Sequence, residues 1–197
     1  LLEEDIHRRM VSLTEFAELS AISNNMSDDE WALLSKDLYY SKQGYHSIGW
    51  LDSSFNVRRI LPIEGNETSV DFDLAFQPLA LLSELKSQQR KSAVITVPLN
   101  SLKGKLGLGI YVPILKTQPS SKKIEGFMVS VILFDPYIKF VLPTYLLAEH
   151  KLTLFIDEQK VYSDQINHSS ISNASNKQSS FEIMGQRWQV NLMPSNE

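Results

Sequence analysis

The sequence predicts an α+β fold in which a long N-terminal helix precedes short antiparallel strands. Apolar residues recur at helical spacing over residues 1–21, with charged residues between them. From residue 44 onward, short runs rich in β-branched residues alternate with turn-forming residues, which is typical of strands. The predicted order is two helices, two strands, a helix, three strands, a helix and a final group of strands.

Composition and charge exclude several classes of protein. The chain has 197 residues, of which 43% are hydrophobic, enough to bury a core. Lysine and arginine number 19 against 23 acidic residues, with both signs scattered, so we expect no nucleic-acid partner. The absence of cysteine excludes a disulfide framework and a thiolate zinc site, and it fits an oxidising compartment. No apolar run is long enough to span a bilayer. The chain opens inside a helical pattern without a start methionine, so we expect membrane spans to flank this segment.

The two predicted N-terminal helices are recognised by different sequence patterns. The first is amphipathic and cannot bury its apolar stripe alone, so it must pack on the rest of the chain or on a second copy of itself; both remain open. The second begins at Ser27 to Glu30, a capping-box pattern, and ends near Gly44. The stripe of the first helix comprises Ile6, Met10, Leu13, Phe16, Ala17 and Leu19.

The rest of the chain divides into two strand groups. The last three strands of the first group are expected to be adjacent and antiparallel, and a small separate group follows His150. We therefore divide the chain into residues 1–43, 44–149 and 150–197. The predicted strands are 45–51, 57–61, 93–97, 106–114, 126–134, 152–156, 160–162 and 181–193, the predicted helices are 78–89 and 135–148, and the Ser/Lys-rich and Ser/Asn-rich segments 115–125 and 165–180 are predicted loops.

Motifs for catalysis or metal binding are weak. The Ser-x-x-Lys matches at Ser83 and Ser120 lie on a predicted helix surface and in a predicted loop. The four histidines lack the spacing of metal ligands. Gly104, Gly107 and Gly109 precede a strand, whereas a phosphate-binding loop precedes a helix. We expect no enzymatic activity, no metal and no cofactor.

Six short motifs, in order and with matching spacing, carry a family resemblance over about residues 30–149. With these six motifs in this order and spacing, the chain resembles the CHASE sensor family of membrane receptors. Residues 181–183 and 187–190 also resemble the last strand of such domains. The motifs are Ser-Ile-Gly-Trp at 47–50, Val-Arg-Arg-Ile-Leu-Pro at 57–62, Phe-Asp-Leu at 72–74, Ala-Val-Ile-Thr-Val-Pro at 93–98, Leu-Gly-Leu-Gly-Ile-Tyr-Val-Pro-Ile at 106–114, and Gly-Phe-Met-Val at 126–129 with Phe-Asp at 134–135.

The resemblance implies a stalk helix that carries two PAS-like modules. The membrane-distal module would be residues 44–149 and would bind a small-molecule ligand, whereas the membrane-proximal module, residues 150–197, is usually empty in this family. The expected setting is the periplasmic part of an inner-membrane receptor of the histidine kinase or diguanylate cyclase type. We expect the stalk helix to carry the signal inward and to mediate self-association in the full-length receptor.

The resemblance also implies two ligand-binding positions. In cytokinin-binding members an aspartate at the position of Asp73 bonds the ligand, and the position of Ile95 lines the pocket. Residues 99–105 are one residue shorter here and lack the threonine of those receptors, so cytokinin is not carried over as the ligand. Ile95 and Thr96 lie on opposite faces of one strand, so only one of them points into a given pocket.

Aromatic residues complete the candidate site. Tyr111, in the middle strand, is suited to stack on or hydrogen-bond a planar ligand, and Tyr45 and Trp50 flank the first strand. A role in the core is the alternative for all three. The alternative function is a ligand-free dimerisation or adhesion module, which a pocket filled by Phe76, Leu108 and Tyr111 would favour.

Overall fold

The computed structural model describes residues 1–23, 26–41, 44–67, 93–100, 106–118, 121–164 and 177–195. Within them, two helices precede five strands, two short helices follow, and four strands end the described chain. In chain order the elements are α1 (Leu2–Ile22), α2 (Asp28–Ser41), β1 (Ser47–Asp52), β2 (Val57–Leu61), β3 (Val94–Asn100), β4 (Leu106–Gln118), β5 (Ser121–Leu133), α3 (Phe134–Val141), α4 (Thr144–Glu149), β6 (His150–Ile156), β7 (Gln159–Ser163), β8 (Lys177–Ile183) and β9 (Gln186–Pro194).

The strands form two antiparallel sheets. The five-stranded sheet has the order β2-β1-β5-β4-β3, so β5 lies at its centre and the last three strands are adjacent, as predicted. The four-stranded sheet has the order β7-β6-β9-β8. The predicted α+β architecture, a long helix followed by two antiparallel sheets, is confirmed. The helix predicted at residues 78–89 lies outside the described residues.

Helix α1 buries its apolar stripe within the chain. It packs across β4 and β5 and reaches β8. Its buried positions recur every three or four residues, which is the spacing of one helix face. Leu19 was expected in this stripe but is 51% exposed, because it lies off that face. The buried residues of α1 are Leu2, Ile6, Arg9, Leu13, Phe16 and Ala17.

The start of α2 has the predicted capping box. The Glu30 amide donates to Ser27 Oγ at 3.2 Å, and the Ser27 amide donates to Glu30 Oε2 at 2.8 Å. The hydrogen bonds from the Ser27 amide and hydroxyl lower the pKa of the Glu30 carboxyl. Two of the otherwise unpaired donors at this helix start are thereby satisfied.

The helix predicted over residues 135–148 is in fact two helices. Helix α3 ends at Val141, and Leu142 is extended, with φ −91° and ψ 140°. Pro143 is the cause, since a proline disfavours helical geometry in the residue before it and lacks an amide to continue the hydrogen bonds. α4 then starts after Pro143.

Four strands extend beyond their predicted ends. Residues 115–125 were predicted as a loop, but β4 continues to Gln118 and β5 begins at Ser121, and Lys116 pairs with Lys123. Backbone pairing needs no apolar side chains, so a polar segment can extend a hairpin. β3 likewise continues through Pro98, with a shifted register between Thr96 and Leu99, which an edge strand tolerates. β8 begins at Lys177, within the predicted Ser/Asn-rich loop.

One hydrophobic core joins the two sheets on the side of α1. We call it the helix-side cluster; it includes Ile6 of α1, Met128 of β5 and Leu152 of β6. Phe134, at the start of α3, meets the fully buried Trp188 of β9 edge to face at 6.4 Å. The two sheets are separate in hydrogen bonding, but they share this apolar cluster across residue 150.

A buried arginine of α1 contacts two aromatic rings from other parts of the chain. Arg9 is 0% exposed and its Nε donates to Asp5 one turn earlier at 2.5 Å. Its guanidinium carbon lies 4.6 Å from the centre of the Tyr45 ring and 5.3 Å from that of Tyr137. Tyr45 precedes β1 and Tyr137 belongs to α3, so these four residues, the Arg9 joint, link three elements.

Removing Arg9 should destabilise the chain far more than removing its neighbour. Arg9→Ala leaves the Asp5 carboxylate and two tyrosine rings without their buried partner, which should cost about 3–5 kcal/mol of unfolding free energy. Arg8 also contacts Asp5, at 3.6 Å, but its side chain is 66% exposed, so Arg8→Ala should change stability by less than about 0.5 kcal/mol. Urea unfolding of both variants measures this difference, and equal losses would show that the joint does not hold α1.

Candidate functional site

The five-stranded sheet has two faces with different roles. Side chains alternate along β4, so that Ile110 and Val112 join the helix-side cluster whereas Tyr111 joins a second cluster. We call this second group the far-side cluster because it lies on the face away from α1. It comprises Leu51, Phe55, Val57, Val94, Tyr111, Phe127 and Val129.

The turn between β1 and β2 supplies an aromatic residue to the far side. Asp52 accepts hydrogen bonds from the Ser54 amide at 2.8 Å and from the Asn56 amide at 3.0 Å, which shapes the turn. Phe55 has a positive φ of 68° there and is fully buried. Its ring stacks on Phe127 at 4.8 Å, which fixes one end of the far-side cluster.

Tyr111 lies in the middle of the far side. Its backbone pairs with Val94 on one side and Val129 on the other, and the residue is 3% exposed. Burial raises the pKa of its phenol to about 12. Gly107 and Gly109 precede it at alternate positions of the same strand, so the face beside the ring carries no side chain at either position.

The structure separates several residues that the sequence analysis grouped. Ile95 packs in the helix-side cluster, on the opposite face from Tyr111, so these two do not line one pocket. Thr96 lies opposite Gly109 in the pairing of β3 with β4. Asp73 and Phe76 lie outside the described residues. Leu108 is fully buried on the helix side and does not fill the far side.

Tyr45 and Trp50 also lie away from Tyr111. Tyr45 belongs to the Arg9 joint, where burial raises the pKa of its phenol to about 12 despite the opposing effect of the Arg9 charge. Trp50 is half-buried on the helix side, with the Arg59 guanidinium carbon 4.7 Å from its ring centre. Arg59 in turn bonds Asp28 of α2 at 2.6 Å. This role of Arg59 could not be foreseen from the sequence, because an arginine on a short strand is usually a surface residue.

A cavity of about 490 Å³ opens on the helix side, beside Trp50. We call it the helix-side cavity. The end of α1, the start of α2, and β1, β2, β4 and β5 each contribute to its wall. Its lining residues are Ser20, Ser23, Met26, Trp31, Trp50, Ser53, Arg59, Ile114, Lys116, Lys123, Ile124 and Glu125.

Gly126 sets the position of Trp50 at this cavity. A Cβ at residue 126 would lie 2.9 Å from Trp50 Nε1 and would overlap the carbonyl oxygen of Leu51. The missing side chain therefore lets the indole lie against β5, with Arg59 on its other side. The result is a layer of backbone, indole and guanidinium that forms one wall of the cavity.

The residues that the structure describes hold neither a metal cluster nor a membrane-spanning helix. In the described ranges, no three His, Asp or Glu side chains come together in a way that could hold a metal ion. Among the helices of these same ranges, none combines the length and the apolar character needed to cross a bilayer.

Solved structures identify the fold. An extracellular ligand-binding receptor from Desulfohalobium retbaense DSM5692 is similar over 96% of this chain and 36% of that one, with a TM-score of 0.69 and 10% identity. The ligand-binding domain of the Pseudomonas aeruginosa PAO1 amino acid chemoreceptor PctC, in complex with GABA, is similar over 97% of this chain and 92% of that one (TM-score 0.60, 11% identity). The chain has the α+β fold of tandem PAS-like sensor domains.

A third structure with this PAS-like fold is a domain of a sensory box/GGDEF family protein from Vibrio parahaemolyticus. It is similar over 98% of this chain and 94% of that one, with a TM-score of 0.60 and 10% identity. The chain thus spans about a third of the Desulfohalobium receptor but nearly the whole of the other two domains. No model of a known protein family matches the sequence, and no curated protein matches it either.

Ionisation of Tyr111 should destabilise the chain at high pH. The folded-state pKa of about 12 lies above the unfolded value of 10.0, so the free energy of unfolding is unaffected below pH 10 and falls as pH rises toward 12. Over these two pKa units the loss approaches about 2.7 kcal/mol, and Tyr111→Phe should remove it. Urea unfolding as a function of pH measures the effect, with Tyr40→Phe, at an exposed position, as the control. Equal pH profiles for wild type and Tyr111→Phe would contradict the burial of this phenol.

Substitution of Gly126 should disturb the wall of the helix-side cavity. Gly126→Ala forces a shift of the Leu51 backbone or of the Trp50 indole and should cost about 1–3 kcal/mol of unfolding free energy. Gly49→Ala is the control and should cost less unfolding free energy, since its Cβ would lie 3.1 Å from the Arg59 carbonyl oxygen and needs a smaller shift. Thermal unfolding of both variants checks the order, and a larger loss for Gly49→Ala would refute this explanation of Gly126.

Proposed function

We propose that this chain is the extracytoplasmic ligand-sensing domain of a membrane-bound signalling receptor. The observation that carries the proposal is the fold, because similar structures include ligand-binding and sensory domains and the likeness covers 96–98% of the chain. The five-stranded sheet is the membrane-distal module and the four-stranded sheet the membrane-proximal one. The domain itself has no catalytic role; a histidine kinase or diguanylate cyclase domain elsewhere in the receptor provides the output.

The ligand is a small molecule that binds the far side of the five-stranded sheet. Two features support this location: α1 covers the other face, and Tyr111 lies at the centre of the far side. Asp73 is the proposed polar anchor, and Thr96, opposite Gly109 in the sheet, borders the site. Ile95 packs on the helix side and contributes to the core instead of the ligand contact.

The signal passes from the far side to α1 through the sheet. A ligand can shift an equilibrium only if its affinity for the two conformations differs. β4 and β5 carry far-side residues on one face and contact α1 on the other, so a change in their geometry reaches the stalk directly. In the full-length receptor, α1 carries the signal inward and takes part in self-association.

A thermal-shift screen of the purified domain tests the sensing role. Amino acids come first in the panel, because one similar structure holds GABA, followed by other carboxylates, purines and adenine derivatives. A ligand at 100 times its dissociation constant should add about 2.7 kcal/mol to the unfolding free energy. Tyr111→Phe and Asp73→Ala should each reduce the shift, whereas Tyr162→Phe, in the four-stranded sheet, should not.

Two outcomes would count against this proposal. A ligand that binds equally well to the Tyr111 and Asp73 variants would place the site elsewhere. If no compound raises the melting temperature and the domain forms a stable dimer in sedimentation experiments, the ligand-free dimerisation module becomes the better explanation.

A further inference from the structure

The helix-side cavity has the size and the apolar floor of a small-molecule site. Its volume of about 490 Å³ falls within the usual range for such sites, roughly 300–1,000 Å³. Trp31 is 5% exposed and Ile114 is 3% exposed, and Ile124 and Met26 are half-buried beside them. Such a surface favours an aromatic or branched apolar group.

The charges around the cavity are unbalanced. Lys116 and Lys123 are direct partners across β4 and β5, and like charges at such positions repel each other. Glu125 pairs with Lys116 at 3.0 Å, and Arg59 is matched by Asp28. Lys123 makes no ion pair with any residue in the described part of the chain, so one positive charge at the cavity is left without a counterion.

We infer that the helix-side cavity is a second binding site, which takes a small aromatic monocarboxylate. The aromatic ring lies against the apolar floor formed by Trp31 and Ile114, and the carboxylate is held by Lys116 and Lys123. Such a ligand relieves the repulsion between the two lysines while it covers apolar surface. A metal cation is disfavoured here, because Glu125 is the single carboxylate among the described residues that line the cavity.

This site is distinct from the proposed sensing site. Tyr111 faces the far side and does not line the cavity, whereas Ser20 near the end of α1 does; of the far-side group only Ile124, at its edge, reaches the cavity among the described residues. An occupant would contact α1, α2 and the β4–β5 hairpin together. The second site can therefore exist whether or not a ligand binds near Tyr111.

Indole N–H signals in ¹H–¹⁵N spectra offer a direct test. The chain has three tryptophans: Trp31 and Trp50 line the cavity, and Trp188 lies in the core of the four-stranded sheet. Titration with phenylacetate should shift the signals of Trp31 and Trp50 in a saturable way and leave that of Trp188 in place. Phenylacetamide, which has the same ring and no charge, should bind at least about tenfold more weakly.

Substitutions of the lysines and of Glu125 should change the affinity for phenylacetate in opposite directions. Lys116→Gln and Lys123→Gln should each weaken phenylacetate binding by about three- to tenfold. Glu125→Gln frees Lys116 and removes a repelling carboxylate, so it should tighten binding by about two- to fivefold. Lys160→Gln, on β7 of the other sheet, is the matched control and should have no effect.

The inference is overturned by any of three results. The first is the absence of saturable shifts at Trp31 and Trp50 up to about 10 mM phenylacetate, well above a weak dissociation constant of about 1 mM. The second is that phenylacetamide binds as tightly as phenylacetate. The third is that the two lysine variants bind phenylacetate as tightly as the Lys160 control. Circular dichroism of each variant, with an unchanged spectrum expected, ensures that a lost signal reports binding and not unfolding.

Discussion

The burial of Arg9 is the interaction on which the arrangement of this domain depends. A guanidinium removed from water costs several kcal/mol unless charge and hydrogen bonds replace its hydration. Here Asp5 supplies the charge, and the rings of Tyr45 and Tyr137 enclose the rest. Gly44 precedes Tyr45 with a φ of +95°, a left-handed conformation that favours glycine. Any rotation or slide of α1 would expose this charge to apolar surroundings or break its pairing.

Because α1 is fixed in this way, it covers one face of the five-stranded sheet, and the far-side cluster forms a separate buried group on the other face. The same joint reaches the second sheet, since Tyr137 lies in α3 and Phe134 of that helix packs on Trp188. The apolar core therefore continues from α1 into the four-stranded sheet. We infer that α1 and both sheets form one cooperative unit, so that a structural change in either sheet would also affect α1.

Much of this fold could be predicted from the sequence, because local signals determine it. The capping box at Ser27 and the helical spacing of α1 depend on residues close in the chain. The split between α3 and α4 follows from Pro143 and could have been foreseen. The burial of Arg9 could not, since an arginine next to another arginine on a helix is expected to be solvent-exposed until its partners in α3 and before β1 are known.

The candidate sites were harder to predict because sheet register decides them. Alternation along β3 and β4 shows that neighbours such as Ile110 and Tyr111 lie on opposite faces, but it does not tell which face α1 covers. The pairing of Lys116 with Lys123 arises from a hairpin whose polar sequence resembled a loop. The helix-side cavity combines residues from segments far apart in the chain, so no motif within one segment reveals it.

Native-state hydrogen exchange tests the claim of one cooperative unit most directly. Amides of α1, β5 and β9 that exchange most slowly should share a single opening free energy, equal to that of global unfolding. A distinctly lower opening free energy for β6 and β9 than for β5 would contradict the claim, because it would show that the four-stranded sheet unfolds without α1 and the five-stranded sheet.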